Sequence, residues 1–202
     1  MTSQVNKVTG IILAGGQSKR MGKDKGLLLL NDQPLINYPL KVMKLLCTEI
    51  LISSNSSSYD FLGYKVIPDL YPGTGPMGGI LSCLVQSDNE INFVIGCDMP
   101  FITADIFRQL ILFMGDARLS VPWHGDDHYE PISGVYRKSL ANEMQSYMDK
   151  VNFKLPDFFK TTSFKALPVK EIHPALEENY FFNINNETDL AKAELMINRL
   201  DK

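Results

Sequence analysis

Short apolar runs alternate with helical stripes along most of the chain. Val8–Leu13 reads as a buried strand running into glycines, and residues 50–53 and Lys65–Ile67 are further short strand candidates. Between them, residues 34–47 carry Leu35, Ile36, Leu40, Met43, Leu46 and Cys47 at helical spacing, with Pro34 near the first turn. A helix is predicted over 77–86, behind the turn signal Gly73-Thr74-Gly75-Pro76. Residues 93–96 form another apolar strand that stops at Cys97-Asp98-Met99-Pro100, and Thr103 is placed to cap a helix over Ala104–Met114.

The second half continues the pattern less regularly. Strands are predicted at 119–122, 131–136, 164–169 and 181–184, with a polar turn around Gly125-Asp126-Asp127. Helices are predicted over 138–150 and 155–160, and from Asn186 or Thr188, either of which can cap it, to about Leu200. Strand and helix in alternation imply an α/β three-layer sandwich with a mostly parallel sheet covered on both faces. Ligands of such sheets sit outside the carboxyl ends of the strands, so Leu13-Ala14-Gly15-Gly16 and Gly96-Cys97-Asp98 are expected on one rim. The length, 202 residues, suits a single domain, with a nucleotide-binding part over about 1–105 and an acceptor-binding part over about 106–202.

Charge narrows the partners. A net charge of -3 argues against general nucleic-acid affinity, which needs a basic surface. Against that background Lys19, Arg20, Lys23 and Lys25 fall within seven positions, several times what the composition supplies. They follow Gly15 and Gly16 and flank Gly22, glycines that allow positive φ and close backbone approach to an anion. The segment is neither a P-loop nor a dinucleotide fingerprint. Five residues separate Gly16 from Gly22 where a P-loop has four, Lys23 precedes Asp24 rather than Ser or Thr, and Gly15-Gly16 lacks the GxGxxG spacing. A polyphosphate ligand is expected.

Asp98, at a strand end before Pro100, suits a magnesium ion carried in on phosphate oxygens. Asp69 and the glycines after it either wrap a ribose or phosphate or form a plain rigid turn. Asn183 and Asn185 likewise read as ligands of a second substrate or as turn asparagines. Cys47, Cys83 and Cys97 have no CxxC spacing and read as reduced thiols; Asp98 beside Cys97 works against a thiolate nucleophile. His124, His128 and His173 lack HExxH spacing, so no zinc site is expected, and the first two read as surface residues of a polar turn. No run approaches the ~18 apolar residues of a membrane span and no leader pattern opens the chain, so a cytoplasmic location is expected.

Taken together and in order, LAGGQSKRMGKDKG, PDLYPGTGPMGGI, GCDMPFI, HYEPISGVYR and NINNETDL resemble the molybdenum cofactor guanylyltransferases, the MobA-like nucleotidyltransferase family. The resemblance covers nearly the whole chain. It implies a Rossmann-like fold that transfers GMP from Mg-GTP to the molybdopterin phosphate, yielding the guanine dinucleotide and pyrophosphate. By matching position it implies nucleotide contacts at Leu13, Ala14, Gly15 and Asp69 and phosphate contact at Lys25; Gly16 is expected to join the nucleotide contacts and Arg20 to assist Lys25. The resemblance further implies magnesium at Asp98 and a pterin-side or catalytic role for Asn183 and Asn185. Molybdopterin-delivery proteins and apo-molybdoenzymes are the implied protein partners. The runner-up readings are a cytidylyltransferase acting on molybdopterin or another phosphorylated acceptor, and a nucleotide-binding regulator without catalysis. Two departures stand out: Ser53-Ser54-Asn55 where the family often ends a strand in asparagine, and Asn186-Glu187-Thr188 inside the terminal motif. The second is expected to change the cap of the last helix.

Overall fold

In the computed structural model, the described residues are 7–15, 24–150, 153–172 and 178–200. The strands are β1 (Val8–Leu13), β2 (Leu29–Leu30), β3 (Gln33–Pro34), β4 (Glu49–Ser53), β5 (Lys65–Ile67), β6 (Ile91–Gly96), β7 (Leu119–Gly125), β8 (His128–Tyr129), β9 (Val135–Arg137) and β10 (Phe164–Pro168). The helices are α1 (Asn37–Leu46), α2 (Pro76–Gln86), α3 (Ala104–Met114), α4 (Ala141–Met148), α5 (Leu155–Phe159), α6 (Val169–Ile172) and α7 (Glu187–Leu200).

The main sheet has the order β10-β7-β9-β6-β1-β4-β5, with β8 paired to β7. Every pair in it is parallel except those made by β9 and β8, so the expected mostly parallel sheet is present. Side chains alternate between its faces as a pleated strand requires. Ile12, Ile52 and Ile95, aligned across three strands, pack with Leu40 and Met43 of α1 and Phe107 and Leu110 of α3. Their neighbours Ile11, Leu51 and Val94 face the other way, against Met77 and Leu81 of α2, Met144 of α4 and Phe158 of α5. Two apolar faces covered by two helical layers make the three-layer sandwich.

A third, smaller core matters for the site. Leu30 and Leu35 of the β2–β3 hairpin bury against Ile184 and Ala193, joined by Leu190 and Ile197 along one stripe of α7. This cluster docks the end of the chain beside its beginning.

Three predicted elements differ. Pro34 belongs to β3, paired with Leu29, and α1 begins at Asn37; Pro39 takes the first-turn place, where a missing N–H costs nothing. Residues 131–134 form a turn before β9, closed by the Ser133 N–H on the Glu130 carbonyl at 3.1 Å. Residues 181–184 are not a strand: Phe181 ends a 3-10 turn, and the Ile184 N–H donates to the Asp98 carbonyl at 3.0 Å, a loop partner rather than a ladder.

Two caps are also settled. Thr103 occupies the position before α3 but its hydroxyl makes no capping hydrogen bond. At α7 the Asn186 side chain, not Thr188, accepts the Asp189 N–H at 2.9 Å, while Asp189 accepts the Asn185 N–H at 2.9 Å. That reciprocal pair fixes the backbone at Asn185.

Candidate active site at the carboxyl rim of the sheet

Leu13 lies opposite Gly96 on one side and Ser53 on the other, so three parallel strands end together. The crossing is tied off by the Ala14 N–H on the Ser53 carbonyl at 2.9 Å and the Cys97 N–H on the Leu13 carbonyl at 3.0 Å. Above this rim opens a cavity of 930 Å³, ample for a nucleotide. Leu13, Ala14, Gly15, Lys25, Asp69 and Asp98 all line it. The two strand-end motifs therefore share one site, as their place at the carboxyl ends of parallel strands predicted. Gly16 and Arg20, with Lys19, Gly22 and Lys23, lie outside the described residues.

Lys25 opens a 3-10 turn, Lys25–Leu27, and its ammonium donates to the Asp98 carboxylate and to Asn185 Oδ1, the latter at 2.8 Å. The lysine and aspartate side chains are only 21% and 14% exposed, so water screens the pair weakly. Asp98 thus serves the lysine. Gly96 makes room for it: a Cβ there would stand 2.6 Å from Asp98 Oδ1. Asn183 turns inward, its amide N–H donating to the Phe181 carbonyl at 3.2 Å while its Oδ1 is buried without a hydrogen bond. Of the asparagine pair, Asn185 reaches the lysine and Asn183 does not.

The opposite wall comes from the loop before α2. Gly75, at φ 63°, turns the chain into Pro76 at the helix start, and both residues line the cavity, presenting the positive end of α2 to it. Asp69 also serves the turn, accepting the Tyr71 N–H at 2.8 Å. Gly15 does not use the left-handed backbone expected of it: its φ is not positive, and a Cβ would meet the Ser53 carbonyl at an ordinary 3.6 Å. Its contribution is an unshielded backbone on the cavity wall.

Sequence reasoning missed three supports. Asn55 Oδ1 accepts the Asp69 N–H at 2.7 Å, so the departure at Ser53-Ser54-Asn55 holds one wall of the cavity to the other. Buried Tyr59 donates its hydroxyl to Asp24, anchoring the chain immediately before Lys25; burial first, then Cys97 and Asp24, keeps that phenol protonated. His124 and His128 are surface residues of the turn, as expected, but Glu130 accepts from His124 Nε2 at 3.1 Å with His128 Nε2 at 3.9 Å, so the turn also carries a carboxylate partner for them. Burial raises the Glu130 carboxyl above its ordinary range, opposed by His124 and then His128. None of these pairs has a spacing that a sequence pattern would reveal, although HYEP kept the glutamate close to His128.

The thiols offer no nucleophile. Burial pushes Cys47 and Cys83 up to about 12, and raises Cys97 further, with Asp98 adding to the effect.

A family model described as "MobA-like NTP transferase domain" matches residues 10–161, three quarters of the chain. The chain belongs to this family. A relative from Pelotomaculum thermopropionicum, named "probable molybdenum cofactor guanylyltransferase", is 32% identical over 192 residues, covering 94% of this chain and 93% of its own length. One of the same name from Pyrococcus furiosus is 31% identical, covering 94% of this chain and 98% of its own. Among solved structures, molybdopterin-guanine dinucleotide biosynthesis protein A from Archaeoglobus fulgidus superposes with a TM-score of 0.80 at 23% identity, covering 95% and 99% of the two chains. That match shows the same fold. In this MobA-like transferase no helix among the described residues is long and apolar enough to cross a membrane.

Proposed function

We propose that this MobA-like transferase moves GMP from magnesium-bound GTP to the phosphate of molybdopterin, forming the guanine dinucleotide and releasing pyrophosphate. The observation that carries the reading is the Lys25 ammonium, shared between Asp98 at the nucleotide cavity and Asn185 at the end of the chain. The relatives' common name, over nearly the full length of both chains, supplies the substrates.

Phosphoryl-type transfer requires positioning and charge neutralisation rather than a protein nucleophile. Leu13, Ala14 and Gly15 offer backbone to the nucleotide, and Asp69, held by Asn55, meets its sugar. An ammonium has three donors; Asp98 and Asn185 take two, and the third is left for a phosphate oxygen at the α-phosphorus, where the acceptor phosphate attacks in line with the departing pyrophosphate. Arg20, five positions before Lys25 in the sequence, adds charge. Asn185 meets the acceptor from the 106–202 half, and Asn183, turned inward, holds the same segment.

The residues present fit magnesium. Lys25 is the one cationic residue among the described lining residues, set against Asp24, Asp69 and Asp98, so a triphosphate needs further positive charge there. Asp98 and the Asn185 amide form an all-oxygen donor set, and the space left by Gly96 lets the carboxylate turn. When bound, the ion neutralises phosphate oxygens as charge develops.

The deciding experiment measures pyrophosphate release with GTP, CTP and ATP, each with and without molybdopterin. Release that requires both GTP and molybdopterin is expected. Turnover with CTP instead would make the protein a cytidylyltransferase, and nucleotide binding without release under any acceptor would make it a regulator.

A further inference from the structure

The β7–β8 hairpin carries a second cluster outside the nucleotide cavity. Its strands pair as Gly125↔His128 and Trp123↔Tyr129, which leaves His124 as the extra residue of a β-bulge. In the Gly125↔His128 register set at the turn, His124 would oppose Tyr129 and point to the face opposite His128, because successive side chains alternate. The bulge re-aims it. The two imidazoles stack with centroids 4.7 Å apart, and the Phe181 ring closes edge-on against His124 at 5.3 Å.

Glu130 completes the group. Its N–H is pinned to the Pro122 carbonyl at 3.0 Å, and its side chain is 14% exposed. No lysine or arginine pairs with this carboxylate among the described residues; its partners are the two histidines. A largely buried carboxylate without a fixed cation is costly.

We infer that His124, His128 and Glu130 form a binding site for a divalent transition-metal ion of the zinc or cobalt type, separate from the magnesium position at Asp98. Their donor atoms, two imidazole nitrogens and one carboxylate oxygen, already lie within 4.8 Å of one another. Tetrahedral zinc with bonds of ~2.0–2.2 Å spaces its donors roughly 3.3 Å apart, so the closure needed is small. His128, 70% exposed, is free to make it. Imidazole donors select zinc, cobalt or nickel over magnesium, which prefers oxygen. Three protein donors leave a coordination position for water or another oxygen ligand. β6 and β7 are each antiparallel to β9, so the hairpin rises from the same rim as Asp98. The ion fastens this hairpin beside Phe181, two residues before Asn183.

The test uses the tag-free full chain titrated with Co²⁺ in excess Mg²⁺, followed by visible absorption, with Zn²⁺ displacement followed calorimetrically. One Co²⁺ per chain, with the intense bands of a low-coordinate site and displacement by Zn²⁺, is expected. His124→Ala and His128→Ala should each weaken binding by at least about tenfold, and Glu130→Gln should also weaken it. Asp98→Ala should leave it unchanged. His128 is exposed enough that its variant will fold even if His124→Ala does not. Absence of saturable uptake, uptake that survives the double histidine variant, or uptake lost in Asp98→Ala would each overturn the assignment.

Discussion

Lys25 Nζ and Asn185 Oδ1 lie 2.8 Å apart although 160 residues separate them in the chain. With Asp98 on the same ammonium, this contact joins the 3-10 turn at Lys25, the β6 end and the segment before α7 at one charge. It makes three residues one functional unit and gives each a distinct phenotype.

Asp98→Ala and Lys25→Ala are each expected to slow GMP transfer by about 10²–10³, the usual worth of a preorganised charge, with the fold intact by circular dichroism. Asn185→Ala removes one charge-assisted hydrogen bond of about 1.5–3 kcal/mol, so a loss of roughly 10–150-fold is expected. Steady-state kinetics on the three variants and the Lys25→Ala/Asn185→Ala double variant check both statements. A double variant as impaired as the product of the singles would show that the contact couples nothing.

Gly96→Ala tests the room kept for the carboxylate. A methyl 2.6 Å from Asp98 Oδ1 forces that side chain aside. A drop of about tenfold or more in kcat is expected, together with about 1–3 kcal/mol of lost stability, read from urea unfolding. Retention of wild-type kcat would remove Asp98 from the reaction.

Ile184→Ala separates docking from chemistry. Ile184 is fully buried with Leu30, Leu35 and Ala193, so truncation costs about 2–5 kcal/mol. Because it loosens the segment carrying Asn183 and Asn185, the KM for molybdopterin should rise more than the KM for GTP. Equal changes in both would place the acceptor elsewhere.

The thiols should be inert. Ellman's reagent attacks thiolate, and at pH 8 a pKa of about 12 leaves roughly one thiol in 10⁴ ionised. Raising the pKa keeps the thiol neutral until pH climbs toward that value, so native Cys47 and Cys83 should react only slowly at pH 8. In denaturant all three cysteines should titrate within the mixing time of the assay.

Local pattern determined much of this molecule. Apolar runs such as Val8–Leu13, alternating with helical segments such as the stripe over 34–47, implied a sheet covered on both faces, because each period repeats within a few residues. Strands ending at Leu13 and Gly96 put the glycines and Asp98 on one rim, and the resemblance of the motifs named the family. Tertiary packing decided the rest. Burial of Ile184 and Ala193 against Leu30 and Leu35 delivered Asn185 to Lys25, and turned the predicted strand at 181–184 into a loop bonded to Asp98. A one-residue bulge set His124 over His128 and Glu130, and a single side chain, Asn55, tied the Asp69 wall in place. Such contacts join residues with no common period, so hydrophobic pattern carries no trace of them. They form only where separate cores dock and the chain closes its buried polar groups.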